Sequence, residues 1–116
     1  NGKAIKGSKV LVLGLAYKKN IDDLRESPSL SIIKLLKNDG AEVNYSDPYF
    51  PNLPKLRNYN YEMKSIEITE SNLKKYDVVI LSTDHDLFNY EIIYRCSTLI
   101  IDTRGKYKKC DKVIRA

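Results

Sequence analysis

Apolar positions along the chain follow two rhythms. Val10-Leu-Val-Leu13 is unbroken and stops at Gly14, and Asp77-Val-Val-Ile-Leu81 and Thr98-Leu-Ile-Ile101 repeat that form. Short continuous apolar runs predict strands buried on both faces, the usual condition in a parallel sheet. Glu42-Val-Asn-Tyr-Ser46 predicts a further strand, ended by Asp47-Pro48-Tyr49. Ile66 and Ile68 alternate with Glu67, which makes a short edge strand at most, and Val113 and Ile114 predict a short final one. Helical segments lie between. Ser27 suits an N-cap and Pro28 a first helical position, and that helix should run to about Asp39 with Gly40 as its C-cap. At about 100° per residue, Leu30, Ile32, Ile33, Leu35 and Leu36 cover well over half its circumference. Such a helix is expected to pack on the sheet and to touch a second layer or a further domain. Thr69 or Ser71 is placed to cap a short helix through Lys75, and Asn89 to Cys96 predicts another.

The order is β-α-β-(β)-α-β-α-β. It predicts a Rossmann-like three-layer α/β/α fold with a mainly parallel sheet. In such folds ligands bind outside the C-terminal ends of the strands. Leu15–Glu26, Ser82–Asp86 and Asp102–Lys106 fall there. The irregular stretch 48–62 holds three of the four prolines.

The length of 116 residues fits one domain, and 42% hydrophobic residues suffice for a core. No apolar run approaches the roughly 20 residues of a membrane span, and no signal peptide or lipidation motif is present. A cytoplasmic location is expected. The net charge of +5 is local: Arg104 to Ala116 holds six basic residues and one acid, whereas residues 1–103 carry 14 of each sign. Cys96 and Cys110 have neither metal-ligand spacing nor a second histidine beside His85, so reduced thiols are expected. The chain begins at Asn1 and its one methionine is Met63, which suggests a piece of a longer protein.

Gly14-Leu-Ala-Tyr-Lys-Lys holds one glycine where a dinucleotide fingerprint needs three, so no self-sufficient NAD site is expected. Asp47 ends the second strand where such folds often place a ribose-binding acid; without those glycines a turn-forming Asp-Pro is the better reading. Phosphate can be held otherwise. Tyr17, Lys18, Lys19 and Arg25 place an aromatic face and three cations on one strand-end loop, beside the helix opening at Ser27. Arg104 lies at the end of another strand, and a guanidinium can fork onto a phosphate or ribose. The bland alternative is a solvated loop with salt bridges to Asp22, Asp23 and Glu26. Gly105-Lys106 lacks the upstream glycine of a phosphate-binding loop, and Asp22-Asp23 is not at a strand end as a phosphoacceptor would be. His85 between Asp84 and Asp86 reads as a turn or capping residue rather than a catalytic dyad. Cys96 reads as core or near-core rather than a nucleophile.

The stretch from Val10 through Gly14-Leu-Ala-Tyr-Lys-Lys to Leu24-Arg-Glu-Ser-Pro-Ser29 closely resembles the opening of the C-terminal domain of the UDP-glucose/GDP-mannose dehydrogenase family. Ser46-Asp-Pro-Tyr49 and Ile101-Asp-Thr-Arg104 recur at matching places, and the likeness runs from about Lys6 to Val113. Asp23-Leu-Arg-Glu-Ser-Pro-Ser29 and Ser82-Thr-Asp-His-Asp86 resemble most the branch acting on UDP-N-acetylhexosamines. The resemblance implies residues 1–8 as the end of a linker and 9–116 as a UDP-sugar-binding domain of a larger enzyme.

By the same resemblance, that enzyme oxidises the sugar C6 alcohol to a carboxylate with NAD, for polysaccharide precursor biosynthesis. NAD is bound mainly by an upstream domain, and a central helical region carries the catalytic cysteine and links subunits into a homo-oligomer. Neither Cys96 nor Cys110 matches the catalytic position, so the fragment alone is expected to be inactive. Tyr17, Lys18 and Arg104 correspond to substrate-binding positions, and Arg25 to the arginine that reaches the NAD phosphates. The competing reading is a non-enzymatic α/β module that binds a protein or nucleic acid through its basic C-terminus; a neutral body and interleaved acids argue against it. No membrane or nucleic-acid partner is expected.

Overall fold

The computed structural model describes residues 7–15, 28–53, 63–83, 85, 87–107 and 112–115. The elements are β1 (Lys9–Leu13), α1 (Pro28–Asn38), β2 (Glu42–Ser46), α2 (Glu70–Leu73), β3 (Val78–Leu81), α3 (Tyr90–Cys96), β4 (Ile100–Asp102) and β5 (Val113–Arg115). The strands form one sheet in the order β2-β1-β3-β4-β5, and every pairing is parallel. The chain steps outward from β1 to β2, then returns past β1 to lay down β3. The strand order therefore reverses between β1 and β3, where open α/β sheets form their ligand crevice.

The unbroken apolar run of β1 is explained by its place inside the sheet. Successive side chains point to opposite faces. Val10 and Val12 join α1 with Val43, Tyr45 and Ile80 on one face. Leu11 and Leu13 join α2 and α3 with Val79, Leu81, Ile100 and Val113 on the other. The three layers expected from the sequence are thus present, with one helix on one face and two on the other among the described residues. Each fully buried Leu, Ile or Val contributes about 1.5–3 kcal/mol relative to exposure.

In α1, Leu30 and Ile33 are buried and Ile32 and Leu36 are partly covered, but Leu35 is 63% exposed. Within the described residues the broad apolar stripe is therefore not fully covered. The helix ends as expected: the Gly40 N–H donates to Lys37 O and the Ala41 N–H to Leu36 O, a Schellman closure with Gly40 at φ +92°. Thr69, not Ser71, caps α2, accepting from the Asn72 N–H at 3.1 Å. Asn89 caps α3 through the Ile92 N–H.

Two expectations are corrected. Residues 66–68 form no strand: pairing there is reduced to isolated bridges at Ser65 with Tyr45 and at Lys64 with Asn52. The alternation of Ile66 and Ile68 instead serves packing, since both lie against the α2–α3 face. The fourth strand begins at Ile100, two residues later than its apolar run, and Thr98 is exposed.

Gly14 shows why the first apolar run must end in glycine. Its φ is +91°, and a Cβ there would lie 2.5 Å from Thr83 Cβ and 3.1 Å from the Thr83 backbone N and O. Gly14→Ala should therefore cost more stability than Gly7→Ala, where a Cβ would meet nothing within 4 Å and chiefly the left-handed backbone penalty of about 1–2 kcal/mol applies. Urea unfolding of the two variants checks this; equal midpoints would show that β1 and Thr83 are not held in this close approach.

Candidate functional site

The strand ends at the reversal point are stitched together by backbone and short side chains. The Ser82 and Thr83 N–H groups both donate to Leu13 O, at 3.0 and 3.1 Å, and the Gly14 N–H donates to Ser46 O at 2.8 Å. Ser29, buried in the first turn of α1, shares a short hydroxyl–hydroxyl hydrogen bond with buried Ser82. That contact sets the N-terminal turn of an eleven-residue helix against the end of β3. Its leading N–H groups and positive dipole end favour an anion nearby.

Arg104 reaches the same point from β4. Its Nε donates to Ser82 O at 3.0 Å, and its backbone N–H donates to Asp102 Oδ1 at 2.9 Å. Thr103 ties the turn down through Oγ1 to Leu81 O at 2.7 Å. Ser82 thus links an exposed arginine on one side with the opening of α1 on the other. Of the sequence-proposed residues, Arg104 is placed at the crevice. Tyr17, Lys18 and Arg25 lie outside the described residues, as does Cys110. Cys96 is half-buried at the end of α3, packed against the core as expected.

Two strand-end aspartates build these turns, and the sequence reading recognised only part of their work. Asp102 is buried; its Oδ1 takes the Arg104 N–H and its Oδ2 the Tyr107 N–H at 2.8 Å. Asp47, at the end of β2, is also buried; its Oδ1 takes the Tyr49 N–H and its Oδ2 the Leu15 N–H, both at 2.7 Å. The expected Asp-Pro turn is therefore present, with an added cross-link to the loop after β1. Both Asp47 oxygens are thus engaged by backbone N–H groups of the turn and of the β1 exit.

His85 is the residue whose role the sequence understated. It is fully buried, with Nε2 3.3 Å from Asp47 Oδ2 and its ring edge-on to Tyr49 and Phe88 at centroid distances of 5.2 and 5.3 Å. Burial pushes the Asp47 carboxyl upward, but the His85 contact and the two backbone N–H groups outweigh it and hold the group below the ordinary aspartate value. The available signal was positional: an acid and a histidine at the ends of β2 and β3, the two neighbours of β1.

The aromatic rings elsewhere serve structure. Tyr45 OH donates to Phe50 O at 2.8 Å, and burial, reinforced by the Asp47 charge, pushes its pKa up to about 12. Tyr107 is pushed higher still, by burial and then by Asp102. An open cleft of about 310 Å³ lies beyond the end of β2, lined by residues including Asp47, Ile66, Ile68, Leu87 and Phe88. Among the described residues no group of three or more His, Cys, Asp or Glu could hold a metal ion, and no helix is long and apolar enough to cross a membrane.

Residues 11–109 match the UDP-glucose/GDP-mannose dehydrogenase family, UDP binding domain. The chain belongs to this family. It is 34% identical over 110 residues to a UDP-glucose 6-dehydrogenase of Rickettsia conorii, covering 87% of this chain and 24% of that protein. It is 33% identical over 84 residues to a UDP-N-acetyl-D-mannosamine dehydrogenase of Methanococcus maripaludis, covering 72% of this chain and 18% of that one. Among solved structures, the UDP-D-ManNAc dehydrogenase of Pyrococcus horikoshii superposes with a TM-score of 0.70 at 27% identity, over 97% of this chain and 26% of that one. The chain thus spans about a quarter or less of these relatives' length.

The Asp47 carboxylate has a lower pKa folded than unfolded. It therefore adds stability above the unfolded value of roughly 4, and that stability is lost as pH falls through the folded value. Asp47→Asn offers one oxygen where two N–H groups need one each, so it should cost about 1–3 kcal/mol at pH 7. Urea unfolding at pH 7 and pH 3 should show the gap between native and variant shrinking in acid. A gap that is constant with pH would remove the charge from the account.

Proposed function

We propose that the chain is the nucleotide-sugar-binding part of an NAD-dependent UDP-sugar 6-dehydrogenase, which oxidises the sugar C6 alcohol to a carboxylate for polysaccharide precursors. The observation that carries the reading is the meeting at Ser82. An exposed arginine and the first turn of an eleven-residue helix converge on one residue at the strand-order reversal. A diphosphate suits such a place, because it accepts from a guanidinium fork and from helix N–H groups at once. Tyr17 and Lys18 complete the contacts in this proposal, on the loop that leaves Leu15. Arg25 is proposed to face the phosphates of NAD bound to another part of the enzyme. Chemistry and subunit assembly are assigned to segments outside this chain, and the cytoplasm is the proposed location.

The basic C-terminal segment is partly folded onto α3. Lys106 Nζ lies 4.6 Å over the Tyr90 ring and Lys112 Nζ 5.1 Å over the Tyr94 ring. These cations cover aromatic surface, and no feature of the described residues favours nucleic acid as the partner.

Titrating the chain with UDP while following backbone amide shifts should move Arg104, Ser82 and Ser29. Arg104→Ala should weaken UDP binding about tenfold or more, the scale of a hydrogen bond to a charged group, with Arg104→Lys in between. Silence at Arg104 and Ser82 at millimolar UDP would sink this assignment.

A further inference from the structure

We infer that His85 is a positioning residue for nucleotide binding, acting through Asp47 on the root of the loop that leaves β1. Its ligand consequence rests on the proposed UDP-binding reading; its structural consequence does not. Three loops leave the sheet side by side, from β2, β1 and β3, and all three end on one carboxylate. Asp47 belongs to the β2 exit and holds the β1 exit through the Leu15 N–H at 2.7 Å. His85 belongs to the β3 exit and faces the same oxygen, Oδ2, at 3.3 Å.

His85 is itself held from several sides. Its carbonyl accepts the Phe88 N–H at 3.1 Å and the Tyr90 hydroxyl at 3.3 Å, while Tyr49 and Phe88 pack edge-on against its ring. The imidazole therefore has little freedom to follow a displaced carboxylate. It acts as a fixed stop that presents Oδ2 to Leu15. Gly14, immediately before Leu15, has no Cβ and a left-handed φ, so its side of the loop root supplies no steric restraint of its own beyond the close approach to Thr83. At the root itself the Leu15 N–H is held by Asp47 Oδ2, beside the Gly14 N–H on Ser46 O, and His85 backs the Asp47 acceptor. A small error at a loop root is enlarged further along, and modest misplacement of binding groups lowers affinity strongly.

Ring packing and the Nε2 contact are separable by substitution. His85→Phe keeps an aromatic ring between Tyr49 and Phe88 and removes the nitrogen. His85→Gln discards the ring and places an amide N–H₂ near Nε2. Each is measured for UDP affinity by calorimetry, for amide hydrogen exchange at Leu15 and along β1 and β3, and for urea stability. His85→Phe should lose about fivefold to tenfold in UDP affinity and speed exchange at Leu15, leaving the strand amides protected. His85→Gln should recover most of both. The inference is overturned if His85→Phe binds UDP like the native chain with an unchanged Leu15 amide, or if Gln is the weaker of the two. If the native chain does not bind UDP, the functional reading fails for this chain, and the Leu15 exchange comparison still decides the positioning role. If Phe does not fold, His85→Leu replaces it in the comparison with Gln: faster Leu15 exchange in Leu than in Gln supports the role, and equal exchange in the two overturns it.

Discussion

A charged carboxylate withdrawn from water must be given partners, and this fold uses that requirement twice at the working end of its sheet. Asp47 and Asp102 are each about 1–2% exposed, and each spreads two oxygens over two backbone N–H groups. An isolated buried ion is far too costly to persist, so the surrounding chain is obliged to bring donors. The donors it brings are loop amides, which would otherwise be the least constrained groups in the molecule. The cost of burial is thereby converted into loop geometry.

The two devices have different reach. Asp102 works locally, shaping the turn that carries Arg104 and fastening Tyr107, whose hydroxyl continues to Tyr90 O at 2.7 Å. Asp47 works across strands, joining the exits of β2 and β1 and meeting His85 from β3. Between them, Ser82 couples the opening of α1 with Arg104. Among the described residues the crevice is thus assembled from strand ends whose positions the sheet has already fixed, which is why a cation and a helix terminus are held close together there.

Much of this was legible in the chain itself. The strands Lys9–Leu13 and Glu42–Ser46, the helix from Pro28, its glycine closure and the cap at Asn89 all follow from local patterns, because each depends on side chains a few residues apart. Arg104 was legible too, since Asp102-Thr-Arg-Gly105 directly follows a strong apolar run. The failures share one cause. Ile66 and Ile68 alternate like a strand, yet their packing against the α2–α3 face, not backbone pairing, decides their conformation. His85, flanked by acids in the sequence, reads as a turn residue, although its ring is buried and its nearest charged group in the described fold is 38 positions away.

The sequence by itself determined the period and punctuation of the elements, the three-layer parallel architecture and the neutrality of the body. It also carried the family's long motif, since motifs are local in the chain. Only the tertiary structure decided that Asp47 accepts from Leu15 and Tyr49, that His85 lies 3.3 Å from it, and that Ser82 joins Ser29 to Arg104. Those contacts span 22 to 53 positions for Arg104 and Ser29 with Ser82. Hydrogen-bond partners are chosen by proximity in space, and proximity across a parallel sheet is set by strand order, which no local pattern encodes.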